Sequence, residues 1–232
     1  MDPILTVVTF FQTGGAFMYP IAVVLTIGLV IALERWVFLT SAKVSNQAAT
    51  KKILPLLQHR KYEQLQDFTQ RSSAPVSKIV GAGLGSLIRS ERRDDVVYAM
   101  QESVMETVPR LEKRTGYLST LANVATLLGL LGTIIGLIAA FTAVADADPA
   151  QKATLLSQSI SVAMNTTAFG LISAIPLLLL HALLQTKTAQ IVDSLDVIGV
   201  KFINMSAQHR ALSSKGRQDD ANVGAKPARR AA

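Results

Sequence analysis

Two threonines, Thr133 and Thr167, stand in the middle of long stretches that carry no charge. At about 100° per residue, Thr126, Gly129, Thr133, Gly136 and Ala140 fall within a helical stripe about 80° wide. Ser159, Ala163, Thr167, Gly170 and Ala174 form a second stripe of the same width. Each face is therefore narrow, built of small residues and centred on a hydroxyl. A threonine hydroxyl donates one hydrogen bond and accepts others, so it can serve water or a carboxyl group where little else is polar. Asn165 and Thr166 add polar groups beside Thr167. Two readings stand side by side. Small residues let membrane helices approach, and Ser/Thr hydroxyls bond their own helix carbonyls. Alternatively the stripes line a narrow pore, with Thr133, Thr167, Thr126, Asn165, Thr166 and Ser159 along the pathway and Gly129, Gly136, Ala140, Ala163, Gly170 and Ala174 giving close approach. One chain has only two such stripes, so an enclosed lumen requires several copies: a homo-oligomer with these two segments inside.

The elements that position these residues follow from composition. The 232 residues are 50% hydrophobic and 17% charged, with a net charge of +7 and no cysteine. Disulfide scaffolds, thiol nucleophiles and Cys-ligated metal sites are excluded. Three charge-free segments, 16–33, 117–144 and 157–184, are each long enough to cross a bilayer's hydrocarbon core. None contains Asp or Glu. A proton relay through a membrane normally uses an ionisable group, so a titrating carboxylate would have to come from another chain. Of the 23 Lys and Arg, 14 lie in 34–116, one in 145–156 and eight from 185 onward. Basic residues stay on the cytoplasmic side. The expected topology is an outer N-terminus (1–15), a cytoplasmic region (34–116), an outer link (145–156) and a cytoplasmic C-terminal part. The positive charge then belongs to topology and anionic lipid, not to nucleic acid. Measured from the outer ends of their spans, Thr133 and Thr167 lie about 16 and 15 Å deep, at one level.

Leu54, Leu57, Leu65 and Phe68 recur at helical spacing, so short amphipathic helices are expected around Pro55 and Pro75. Val97, Met100, Val104 and Val108 mark a helix face that runs on into the second span, with Pro109 as a kink. Ile191, Leu195, Ile198 and Phe202 extend the third span to about His209 (185–212), and the basic tail 213–232 reads as disordered. The fold class is an all-α integral membrane protein of three transmembrane helices, the second and third extended into a cytoplasmic helical bundle.

The runs GYLSTLANVATLLGLLGTIIGLIAAF (116–141) and SVAMNTTAFGLISAIP (161–176), with GGAFMYPIAVVLTIGLVIALERW (14–36), resemble the MotA/TolQ/ExbB proton-channel family. Three spans and a large first cytoplasmic region are similar to its TolQ/ExbB branch. The resemblance implies a homopentameric ring in the bacterial inner membrane. It also implies two copies of an ExbD/TolR-like single-span partner, whose membrane aspartate faces Thr133 and Thr167. Proton passage would turn ring and partner against one another and energise the cell envelope. The branch predicts a glutamate five residues before the second pore threonine, where this chain has Val162. Either the partner's carboxylate suffices, or the chain belongs to a divergent group such as gliding-type motors; a non-conducting scaffold for a partner helix is the remaining alternative.

Other signals are weaker. Gly81-Ala82-Gly83-Leu84-Gly85 lacks the Gly-Lys-Ser/Thr ending of a phosphate loop and reads as a flexible or closely packed helix. His59, His181 and His209 have no metal-ligand spacing. No paired carboxylates or Ser–His–Asp arrangement can be argued from spacing. The expectation is a protein without enzyme activity, metal or cofactor.

Overall fold

The computed structural model describes residues 14–90, 92–145 and 147–224, with side chains through Gln208. These residues form α1 (Met18–Gln58), α2 (Tyr62–Arg71), α3 (Pro75–Arg89), α4 (Arg93–Glu112), α5 (Thr115–Ala145) and α6 (Lys152–Gly224), and no strand occurs among them. Three helical stretches, beginning at Met18, Arg93 and Lys152, are long and apolar enough to cross a membrane. The contacts divide the chain into two units. One comprises Met1–Leu39 and Glu112–Lys187, the other Thr40–Leu111 and Thr188–Ala232.

The first unit joins α5 with the first parts of α1 and α6. Its buried positions on α5 are Thr115, Leu118, Ala122, Ala125, Gly129 and Gly132, a run that advances by three and four residues, and then Ala140, two turns further on. That spacing keeps one seam facing a neighbour along the whole helix. On α6 the corresponding positions are Ala163, Thr166, Ser173, Ala174 and Leu177. Gly28 of α1 provides the hollow for Leu177: a Cβ at Gly28 would lie 2.6 Å from Leu177 Cδ2. The opposite faces carry Val30, Leu33, Leu127, Ile138, Phe141, Ile172 and Leu179, all exposed. Such an apolar exterior around a small-residue core is the inverse of a water-soluble bundle, and its solvent is hydrocarbon. Pro176 sits inside α6. Transmembrane helices tolerate such a residue because neighbouring helices re-satisfy the freed backbone groups.

The second unit is a helical bundle built from the later part of α1, from α2, α3 and α4, and from the later part of α6. Phe202, fully buried, lies beside Gly83 and Met100: a Cβ at Gly83 would sit 2.7 Å from Met100 Cγ and 3.1 Å from Phe202 Cε1. Gly83, and Gly81 beside Thr69, are therefore points of close approach on α3, whereas nothing lies within 4 Å of a Cβ at Gly85. Pro75 opens α3 at a position where its missing N–H costs nothing. The next amide, Val76 N–H, donates to Oδ1 of buried Asn46 at 2.9 Å, so α1 supplies the cap for α3. Phe202→Ala is expected to lower the stability of the full-length protein by about 3–5 kcal/mol, read as a lowered thermal midpoint in detergent.

Several expectations shift. The segment after span one begins with no separate helix around Pro55: α1 continues unbroken to Gln58, with Pro55 in its last turn, and the short helices are α2 and α3. The buried positions nearby are Ile53, Leu57, Leu65 and Thr69, and on α4 Val96, Met100, Thr107 and Leu111. Leu57, Leu65 and Met100 are buried as the pattern expects, while Ile53, Thr69 and Val96 take the place of their neighbours Leu54, Phe68 and Val97. α4 does not run on into α5. The chain breaks at Lys113–Arg114, where Arg114 takes φ 67°, and Pro109 stays inside α4. The tail expected to be disordered from Ser213 is helical to Gly224, a stretch that contains no proline. Residues 1–13 of the expected outer N-terminus and 225–232 of the basic tail lie outside the described residues.

Candidate functional site

The site lies in the first unit, along the antiparallel seam of α5 and α6. Gly129 and Gly170 meet there: a Cβ on Gly170 would stand 2.8 Å from Ala125 O and 3.0 Å from Gly129 Cα. A Cβ on Gly136 would stand 2.8 Å from Ala163 Cβ. Ala140, Ala163 and Ala174 are buried as well. The small residues of both stripes thus let α5 and α6 of one chain approach, and they do not present an open wall.

The hydroxyls lie within or beside this seam. Thr167 Oγ1 donates to Gly129 O across the two helices at 2.7 Å. Thr133 is half-buried, and its Oγ1 donates to Leu130 O of its own helix at 2.6 Å. The two threonines do not bond to each other. The hydroxyls bond to successive carbonyls of α5, Gly129 O for Thr167 and Leu130 O for Thr133, which lie about 1.5 Å apart along the helix axis.

The remaining residues separate into three groups. Thr126 is exposed and donates to Ala122 O at 3.1 Å, the ordinary i−4 bond. Ser159 and Asn165 are half-buried. Thr166, expected on the pathway, is 2% exposed and lies between the helices. Its Oγ1 is 2.5 Å from Gly14 O and 3.0 Å from Val162 O, and its methyl occupies the hollow at Gly132. Its hydroxyl therefore ties the segment before α1 to α6 and is corrected to a structural role. On an ideal helix Thr166 stands only 100° from Thr167, a difference too small to assign without a partner.

Sequence reasoning missed Gly132, which lies on the same seam three residues after Gly129, and the first turns of α6. Thr154, Ser157, Gln158 and Ser161 line a cavity of about 830 Å³ with Gly15 and Val162. Val162 stands where the resemblance predicts a glutamate. Gly15, at φ 76°, leaves room for it, since a Cβ there would lie 3.1 Å from Val162 Cγ1. Among the described residues this cavity is thus lined by hydroxyls, an amide and small or apolar residues, with no carboxylate.

The opposite end of the unit carries its charges. Arg114 Nη1 lies 2.9 Å from both Glu34 oxygens, and Lys187 Nζ lies 3.2 Å from the Trp36 ring centroid. Both partners of the ion pair are about half exposed, so it contributes little stability. Aromatic and charged residues together mark where helices leave the hydrocarbon. His181 Nδ1 lies 3.0 Å from Thr115 O at this end.

Residues 71–197 match the family described as the MotA/TolQ/ExbB proton channel family. An ExbB homolog of Methanothermobacter thermautotrophicus is 31% identical over 230 residues, 95% of this chain and 78% of that protein. The biopolymer transport protein exbB1 of Vibrio cholerae is 24% identical over 71% of this chain and 73% of its own length. The Tol-Pal system protein TolQ of Haemophilus influenzae is 38% identical over 80 residues, 34% of each chain. With three helical stretches fit to span a bilayer and a match across more than half its length, this multi-pass membrane protein belongs to the MotA/TolQ/ExbB proton channel family.

Proposed function

We propose that the chain is the ring subunit of a motor of ExbB/TolQ type in the bacterial inner membrane, driven by the proton-motive force. Five copies enclose two transmembrane helices of an ExbD/TolR-like partner, with the N-terminus periplasmic and the C-terminus cytoplasmic. The observation that carries this reading is the α5–α6 seam: two hydroxyls beside a helix pair whose spans hold no carboxylate.

The hydrogen bonds give the hydroxyls a defined polarity. Both hydrogens are committed to backbone carbonyls, Thr133 to Leu130 O and Thr167 to Gly129 O. Toward a third group each hydroxyl then offers lone pairs. A protonated carboxyl can donate to them; a carboxylate cannot. The site therefore favours the neutral form of the partner's aspartate, the form that can cross an apolar surface at low cost. Deprotonation on the far side restores the charge and prevents return. Each proton moved down the gradient delivers about 2.3 kcal/mol per 100 mV. Rotation of ring against partner turns this into work on the envelope, and no covalent chemistry is involved.

A second reading rests on Val162. Without a carboxylate at that position the ring could hold a partner helix as a scaffold and conduct nothing. Reconstitution separates the two. The purified chain alone in liposomes is expected to raise proton flux no more than lipid does. A single-span protein bearing a membrane aspartate, co-isolated from the same cells, is expected to restore flux under an imposed potential. Flux from the chain alone would overturn the donated-carboxylate mechanism. No flux from the joint assembly would favour the scaffold.

A further inference from the structure

His181 is the one titratable side chain other than tyrosine in the charge-free stretches 117–144 and 157–184. It is half-buried, and its Nδ1 lies 3.0 Å from the Thr115 carbonyl oxygen. A carbonyl has no proton to give, so Nδ1 carries the hydrogen in this contact. In the neutral ring the basic lone pair is therefore on Nε2.

The position is not arbitrary. His181 stands fourteen residues along α6 from Thr167, and Thr115 stands fourteen residues along α5 from Gly129. The bonds from His181 to Thr115 O and from Thr167 to Gly129 O are therefore the same α6-to-α5 contact repeated two heptads apart, about 21 Å along one seam. Thr115 also lies eighteen residues, five full turns, from Thr133, so the two occupy one face of α5. The seam that bears the two threonines thus ends on an imidazole. The Thr115 hydroxyl beside it is buried and has no hydrogen-bond partner.

We infer that His181 is the inner proton acceptor of this seam. The inference rests on the proposed proton-driven function and adds to it the group at which the proton leaves. A water-borne proton reaches Nε2: an O–H bond breaks, an N–H bond forms and the ring becomes imidazolium. Nε2 then passes that proton to cytoplasmic water, and the neutral ring is restored. The backbone contact to Thr115 holds the ring in one tautomer throughout, so Nε2 is the only nitrogen that turns over. The charges around this end are Glu34 and Arg35 on α1, Arg114 before α5 and Lys187 on α6. Arg114 is paired to Glu34 and Lys187 is stacked on Trp36.

The test uses native membrane vesicles holding the whole assembly. His181→Gln keeps an N–H donor but cannot take up a proton. It is expected to assemble, by native mass, and to lower proton flux at least about a hundredfold, the lower end of what positioned proton-transfer groups supply. His181→Ala is expected to lose flux similarly and to regain it with millimolar imidazole, whereas His181→Gln is not rescued. A role in helix packing alone predicts wild-type flux in His181→Gln and no response to imidazole in His181→Ala; that outcome overturns the inference and leaves the motor reading intact. Absence of flux in wild-type vesicles overturns both.

Discussion

Thr167→Val is expected to abolish energised function while the protein still folds and assembles. The substitution preserves shape and removes one hydroxyl. Structurally, it deletes the bond to Gly129 O at 2.7 Å. Side-chain hydrogen bonds between membrane helices contribute only about 0.6 kcal/mol on average, and the Gly129 carbonyl also serves its own helix. The stability change should therefore stay below about 1 kcal/mol. Functionally, the variant loses the lone pairs that would receive a protonated carboxyl. Proton flux through the assembly should fall by more than about tenfold, which corresponds to about 1.4 kcal/mol in the barrier. Flux measurement and native mass on the same preparation separate the two effects. Wild-type flux in an intact assembly would remove Thr167 from the pathway.

The second large effect concerns assembly of the seam itself. Gly170→Val is expected to prevent stable packing of α5 on α6. The first added carbon would meet Ala125 O at 2.8 Å and Gly129 Cα at 3.0 Å. Both are backbone atoms and cannot rotate away, so the helices must separate along the whole interface. Overpacking a flexible core costs about 1–3 kcal/mol, and a backbone clash exceeds that range. The variant should fail to accumulate in membranes, or lose its cooperative thermal transition in detergent. Gly85→Ala is the control. Nothing lies within 4 Å of a Cβ at Gly85, and alanine favours the helix by up to about 1 kcal/mol. A stable Gly170→Val protein would show that the close contact is dispensable.

Together these variants divide the stripes by function. Gly129, Gly136, Ala163 and Gly170 close the helices on each other, while Thr133 and Thr167 stand at the margin of that contact. The two readings open at the level of sequence, packing and lining, therefore apply to different residues of the same stripes. Thr166 belongs wholly to the packing group, where its neighbour Thr167 does not.

Much of this was legible in the chain itself. Charge-free length set the three spans, because hydrocarbon admits no unpaired charge at low cost. The three-and-four spacing of Ile191, Leu195, Ile198 and Phe202 marked a buried face, because a helix returns to one side every 3.6 residues. The small-residue stripes around Gly129 and Gly170 marked close approach. Tertiary structure decided the rest. It set the carbonyl partners of Thr133 and Thr167, the inward turn of Thr166 onto Gly14 O, the break at Arg114 and the contact of His181 with Thr115 O. Periodicity fixes an angle about one helix axis. It carries no information about how far that helix slides along a neighbour, and that displacement is chosen by the side-chain volumes and backbone carbonyls the two helices bring together.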